Sequence, residues 1–155
     1  MDTRLGHLAD IPARVGIPKA VANPIRPERF AGQRQAPLGL AAGLTQFGVN
    51  HLILEPGAWS SLRHWHEGED EFVYVLDGEL TLVDENGAHV LRAGSFAGFP
   101  AGVANAHHLE NRSDAPAAFL AIGTRLVGRE TIHYPDDPLP TQVVVRDARG
   151  NRIAS

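Results

Sequence analysis

The sequence predicts an all-β protein, an antiparallel sandwich or barrel behind an extended N-terminal arm, and three observations predict it. At 155 residues, 43% hydrophobic and 21% charged, the chain has the size and composition of one ordinary globular domain. Its 16 glycines and 11 prolines would interrupt long helices repeatedly, but they suit many short strands joined by turns. From Gln46 onward, runs rich in β-branched and aromatic residues alternate with turn signals at short spacing.

The elements follow in order. Residues 1–45 contain prolines 12, 18, 24, 27 and 37 and sustain neither a period of 3.6 nor of 2, so they read as an extended arm without helices. Strands are expected at 47–54 (FGVNHLIL), 71–76 (EFVYVL), 79–83 (ELTLV), 89–92 (HVLR) and 117–123 (AAFLAIG). The segments EPG, DG, ENG, AG and SDAP separate them. Asp77-Gly78 and Asn86-Gly87 are hairpin turns, since such pairs adopt the positive φ angles that a tight reversal between twisted strands requires. Beyond Gly123 the stretch 131–140 (TIHYPDDPLP) reads as irregular and 142–147 (QVVVRD) as a last strand. The expected division is an arm over 1–45, a barrel over 46–125 and a C-terminal segment over 126–155 that completes or covers it.

Composition also excludes whole classes of function. No cysteine is present, which removes disulfides, iron–sulfur clusters and thiolate zinc sites and leaves His, Asp, Glu and backbone oxygen as possible metal ligands. A formal charge of −4 and a pI near 6.0 offer no basic field for nucleic acid or for an anionic membrane. The start, MDTRLGHLADIPAR, lacks the basic end and apolar run of a signal peptide, and the uncharged stretch 35–54 carries too many Gly, Gln and Pro residues to span a bilayer. A cytoplasmic protein acting on a small molecule is the expectation.

Eight histidines make a metal site worth seeking. His64 and His66 flank Trp65, and on a strand the side-chain period of two puts both imidazoles on one face. The EGED segment turns, so Glu71 returns on the next strand with its carboxylate toward the same interior. In that register Glu71, Val73 and Val75 point inward while Phe72, Tyr74 and Leu76 point outward.

Gly57, His64-Trp65-His66, four residues, Glu71, six residues and Gly78 form a pattern that resembles the first motif of the cupin superfamily. One residue more than usual separates Gly57 from His64, which a bulge or a longer turn would absorb. Gly94, Pro100 and Gly102 resemble the second motif, but Asn105 stands where that motif places its histidine. His107 keeps the three-residue gap to Asn111, behind a loop two residues longer. His108 is its rival, and the strand period lets only one of the two share the site's face. The resemblance covers 46–125 and implies a double-stranded β-helix, or jelly-roll-like, barrel. It further implies a metal held by His64, His66, Glu71 and His107.

Other residues have simpler readings. Glu67, Glu69 and Asp70 read as solvated loop acids, and His7, His51, His89 and His133 as surface or packing residues. Trp65 reads as core or interface, Phe47, Phe96 and Phe99 as barrel packing rather than substrate contacts, and Arg125 as a solvated strand-end cation, with an anion clamp as the alternative. Three imidazoles and a carboxylate leave open positions on one divalent transition metal ion, and spacing does not choose among Fe, Mn, Ni, Zn and Cu. The implied function is a metal-dependent enzyme of the oxygenase or isomerase/lyase type acting on a small molecule. The alternative is a non-catalytic metal- or metabolite-binding protein. Tyr134, Asp136 and Asp137 enter the site only if their segment folds over its mouth. A homodimer is expected, because the outward row Phe72, Tyr74 and Leu76 needs a cover, from a second copy or from the arm.

Overall fold

The computed structural model describes residues 3–16, 25–137 and 141–154. Pro18 and Pro24 of the arm, and residues 138–140 of the stretch read as irregular, lie outside them. In chain order the strands are β1 (Arg14–Val15), β2 (Gln33–Ala36), β3 (Phe47–Leu54), β4 (Trp65–His66), β5 (Glu71–Asp77), β6 (Glu79–Asp84) and β7 (Gly87–Arg92). They continue with β8 (Phe96–Phe99), β9 (His108–Glu110), β10 (Ala117–Thr124), β11 (Gly128–His133), β12 (Gln142–Arg146) and β13 (Arg152–Ala154). One turn of helix, α1 (Leu38–Ala41), joins β2 to β3, and none of the described helices is long and apolar enough to cross a membrane.

All pairings are antiparallel. A six-stranded sheet runs β1-β2-β3-β10-β5-β8 and faces a second layer built from β7-β6-β9 and β13-β12-β11-β4. Hydrogen bonding among the described residues leaves these sheets open rather than closing them into one barrel. Isolated bridges Trp59↔Glu110 and His64↔His107 link the two parts of the second layer, because the segment 57–66 runs beside β9 before its end pairs with β11.

Period-two alternation builds the core. On β5, Val73 and Val75 are buried while Phe72, Tyr74 and Leu76 are exposed. Val75 meets Leu52, Leu54 and Phe119 of its own sheet and Leu80, Leu82 and Leu109 of the opposite layer. Each such large apolar side chain contributes about 1.5–3 kcal/mol on leaving water. The step from β5 in one sheet to β6 in the other depends on Gly78, whose φ of 77° is left-handed and whose missing Cβ would lie 2.8 Å from the Pro116 carbonyl oxygen.

Three expectations need correction. Asp77-Gly78 is not a hairpin turn, since β5 and β6 do not pair with each other but belong to different sheets. Residues 131–133 are not irregular: they end β11, which pairs with β12 from Gly128↔Arg146 to Ile132↔Gln142. Arg129, Glu130 and His133 dilute the apolar signal there, although Glu130 and Ile132 share the buried face. The described part of the arm also holds regular structure, since β2 pairs with β3 from Gln33↔Leu54 to Ala36↔His51 and buries Phe30 and Ala36.

Candidate metal centre

Four residues separate Trp59 from His64 but only two separate His107 from Glu110 on the partner, so two residues must loop out. That irregularity lies at Ser60–Arg63 and accommodates the long gap after Gly57. Arg63 fixes it, donating to the Ala106 carbonyl at 3.2 and 3.1 Å and pairing with Glu85 and Asp136. Beyond the bulge His64 and His66 project to one face, and β5 brings Glu71 opposite them.

The structure brings all four of the residues His64, His66, Glu71 and His107 together. His107 Nε2 lies 2.8 Å from Glu71 Oε2, His64 Nε2 lies 3.4 Å from the same oxygen, and His66 Nε2 lies 3.4 Å from Oε1. His64, His66 and Glu71 each offer a ligand atom, all within 4.8 Å of one another. His64 and His107 lie at ring separations of 5.2 Å, and Phe99 stacks on the other face of His107 at 3.4 Å.

On two of the rings the nitrogen behind the contact is also occupied. His64 Nδ1 donates to the Leu62 carbonyl at 2.8 Å, and His107 Nδ1 to the Asn105 carbonyl at 2.9 Å. A neutral imidazole has one N–H, so these bonds leave the Nε2 lone pairs facing a carboxylate. Such a cluster repels itself unless a cation lies within it, and three imidazole nitrogens with one carboxylate suit a divalent transition metal. When protons rather than a cation fill that gap, Nε2–H groups of His107, His64 and His66 donate to Glu71 and, against the upward pull of burial, hold its carboxyl well below the usual carboxylate range. Burial would lower His66, yet Glu71, Glu69 and Glu130 raise it.

Behind His66 lie two acids. Its buried Nδ1 is 3.4 Å from Glu130 Oε1 and 3.8 Å from Glu69 Oε2 and makes a hydrogen bond with neither. Glu130 escaped the sequence reading because its strand did; the alternation of Glu130 with Ile132 was the available signal. Glu69 is not a solvated loop acid but buried, accepting from Leu126 N at 2.8 Å and from Arg146 Nε at 3.2 Å. Glu67 and Asp70 are exposed, the first paired with His133 and the second accepting from Ala101 N.

Asn105 turns away from the cluster. Its side chain bonds Asp84 and the Glu85 N–H, and only its carbonyl reaches His107. His108 points to the opposite face but is buried rather than outer, a correction explained by the arm. Gln33 caps the Trp59 and Ser60 carbonyls, while Trp59 packs edge-on against His108 at 4.7 Å beneath Arg26 and Arg29. Trp65 stacks on His133 at 4.2 Å. His89 pairs with Asp84, and His7 is exposed.

Residues 133–137 fold against the bulge. Tyr134 places its ring 5.9 Å from that of His64, and burial raises its hydroxyl pKa against the opposing charge of Arg152. Asp136 and Asp137 are taken up by Arg63 and Arg26 instead of entering the site.

The cluster opens into a cavity of about 640 Å³, ample for a small metabolite, with apolar walls that include Leu52, Val73, Phe99 and Phe119.

Comparison with known proteins agrees with this architecture. A family model described as Cupin domain matches residues 50–123. A sugar phosphate isomerase of the cupin superfamily from Silicibacter pomeroyi is 45% identical, with a TM-score of 0.80 over 92% of this chain and 86% of that one. A provisionally named sugar phosphate isomerase from Acidithiobacillus ferrooxidans is 33% identical, with a TM-score of 0.67 over 77% of this chain and 73% of that one. The polyketide cyclase RemF from Streptomyces resistomycificus, at 20% identity, shares the fold with a TM-score of 0.62 over 97% of this chain and 90% of its own. No curated protein is similar enough to count as a relative. With two facing antiparallel layers, a His-x-His…Glu cluster between them and a 45% identical superfamily member matched along most of both chains, the protein belongs to the cupin superfamily.

Proposed function

We propose that the protein is a metal-dependent isomerase of a small sugar-type molecule, with His64, His66, Glu71 and His107 as ligands of one divalent transition metal ion. The observation that carries the reading is the convergence of three Nε2 atoms on the Glu71 carboxylate, inside a cavity of metabolite size. The likeness to the Silicibacter protein supports isomerase chemistry over oxygenase chemistry. A metal bound here supplies Lewis acidity that polarises a carbonyl and an adjacent hydroxyl. The chain orients the ligands: the Leu62 and Asn105 carbonyls fix two rings, Glu130 and Glu69 stand behind the third, and Phe99 holds His107 flat.

One observation favours a second reading, a metabolite-binding protein without turnover. Among the described residues Glu69, Asp136 and Asp137 are paired with arginines and Glu130 accepts from the Gly68 N–H behind His66, so the acids near the cluster already have partners other than a substrate. Metal analysis of protein purified without chelators, followed by NMR assay of aldose–ketose interconversion and of oxygen uptake, separates the readings. The isomerase reading expects bound metal and interconversion without oxygen uptake. Bound metal with no turnover favours the second reading, and oxygen consumption sinks both.

We also propose a homodimer. The described arm lies at the β1-β2 side of the six-stranded sheet and leaves Phe72, Tyr74 and Leu76 exposed near the opposite edge strand β8, where Phe96 stacks on Phe72 at 5.8 Å. A second copy is the occupant that fits an apolar row beside an unpaired edge.

A further inference from the structure

The cavity is not lined evenly. Its apolar and histidine-bearing walls give way to three arginines, Arg125 after β10, Arg146 at the end of β12 and Arg152 at the start of β13. Arg146 and Arg152 are direct cross-strand partners, a like-charge placement that weakens a β pair unless something negative lies over it. Arg125 is inserted between two glycines. A Cβ on Gly48 would stand 3.1 Å from its Nε, and one on Gly150 would stand 3.4 Å from its Cδ. Both positions therefore leave the room that this side chain occupies.

Of the two carboxylates that line the cavity with these cations, Glu71 faces the histidines and Glu69 is engaged by Arg146 Nε at 3.2 Å. No other acid is paired with Arg125 or Arg152 among the described residues. Burial and the nearby Arg146 both press the Arg125 guanidinium below its ordinary pKa, with Glu69 a partial offset. The excess is about two positive charges, which matches a phosphate monoester near neutral pH. The subsite is also close to the metal cluster, because Glu69 touches Arg146 through Oε1 and faces His66 Nδ1 through Oε2 at 3.8 Å.

We propose that Arg125, Arg146 and Arg152 form an anion subsite that takes the phosphoryl group of the substrate while its reactive end faces the His64–His66–Glu71–His107 cluster. This rests on the small-molecule isomerase reading above and adds the substrate's charge class and the residues that recognise it. Guanidinium groups suit the task, since their planar forks pair two N–H donors with two phosphate oxygens.

Titration of the full-length protein with inorganic phosphate tests the assignment, first after chelator treatment, so that no metal competes for the anion, and then as purified. Wild type is expected to bind in both states. Arg125→Ala should weaken binding at least about tenfold, with Arg125→Lys intermediate because a point charge keeps attraction but loses the fork. Arg152→Ala, at an exposed position, should weaken it too and serves if Arg125→Ala does not fold. Wild type should prefer glucose 6-phosphate to glucose by tenfold or more, and both alanine variants should lose that preference with metal content unchanged. Unaltered phosphate affinity and preference in the variants, or no phosphate binding by wild type, overturns the subsite. Phosphate binding without turnover leaves the subsite standing and sinks the isomerase reading alone.

Discussion

His107 and His108 show how far one residue of register reaches. His107 turns its Nε2 to Glu71, whereas His108 bonds the Ser61 carbonyl at 2.8 Å and Glu110 at 3.0 Å on the opposite face. His107→Ala is expected to lower metal affinity by an order of magnitude or more, read by metal analysis after dialysis, since even outer partners of a metal site are worth about 10–100-fold. His108→Ala should spare the metal but leave buried acceptors unpaired, for a loss of about 1–3 kcal/mol in denaturant titration. If His108→Ala strips the metal and His107→Ala does not, the ligand set is wrong by one residue. Glu130→Gln should weaken metal binding about tenfold or more through His66 while the cavity stays intact; unchanged affinity would reduce Glu130 to a cap for the Gly68 N–H. The four convergent side chains were legible because strand periodicity and motif spacing are local. Glu69, Glu130, Arg146 and Arg152 were not, since pairings across 60 or more positions, such as Glu69 with Arg146 and Gly68 with Glu130, place them.

At the scale of elements, the β6–β7 hairpin turn reaches into the site. Asp84 accepts from Asn86 N and His89 through Oδ1 and from Asn105 Nδ2 through Oδ2, and Asn105 then presents its carbonyl to His107. Burial would raise the Asp84 carboxyl, but bonds from Asn86, Asn105 and His89 hold it below its ordinary value. A carboxyl whose folded pKa is depressed gives stability that is present above its unfolded pKa of about 3.9 and is lost as pH falls through the folded value. Asp84→Asn should therefore lower the denaturation midpoint at pH 6 and approach wild type near pH 3; an equal deficit at both pH values would show that shape, not charge, carries the effect. The hairpin itself was readable from Asn86-Gly87, and so were the five apolar strands. β11 was hidden because Arg129, Glu130 and His133 leave Ile132 as its one large apolar residue, and β2 because four residues, QRQA, show almost no apolar alternation until β3 pairs with them.

For the whole molecule, the core is one cluster shared by both layers, so Phe119→Ala, which empties a fully buried position, should cost about 3–5 kcal/mol and abolish cooperative unfolding near physiological temperature. The outward face obeys different physics. Replacing Phe72 and Phe96 together with Asp should leave the circular dichroism spectrum unchanged while shifting sedimentation from dimer to monomer; wild type already sedimenting as a monomer at micromolar concentration would remove the dimer. The fold class was legible at this scale from composition and turn spacing, whereas the packing of residues 25–36 onto the layers was not, because an arm without periodicity does not announce its docking site. The placement of the two tryptophans gives the molecule a practical property. Trp65 stands between His64 and His66 in the chain, and Trp59 leans on His108, the neighbour of His107. Both indoles thus sit one residue away from the cluster, and the chain carries no others. Intrinsic fluorescence is a built-in gauge of site loading: an open-shell ion such as Cu(II) or Ni(II) should quench emission stoichiometrically while Zn(II) shifts it without quenching, so that occupancy can be followed optically with no label attached.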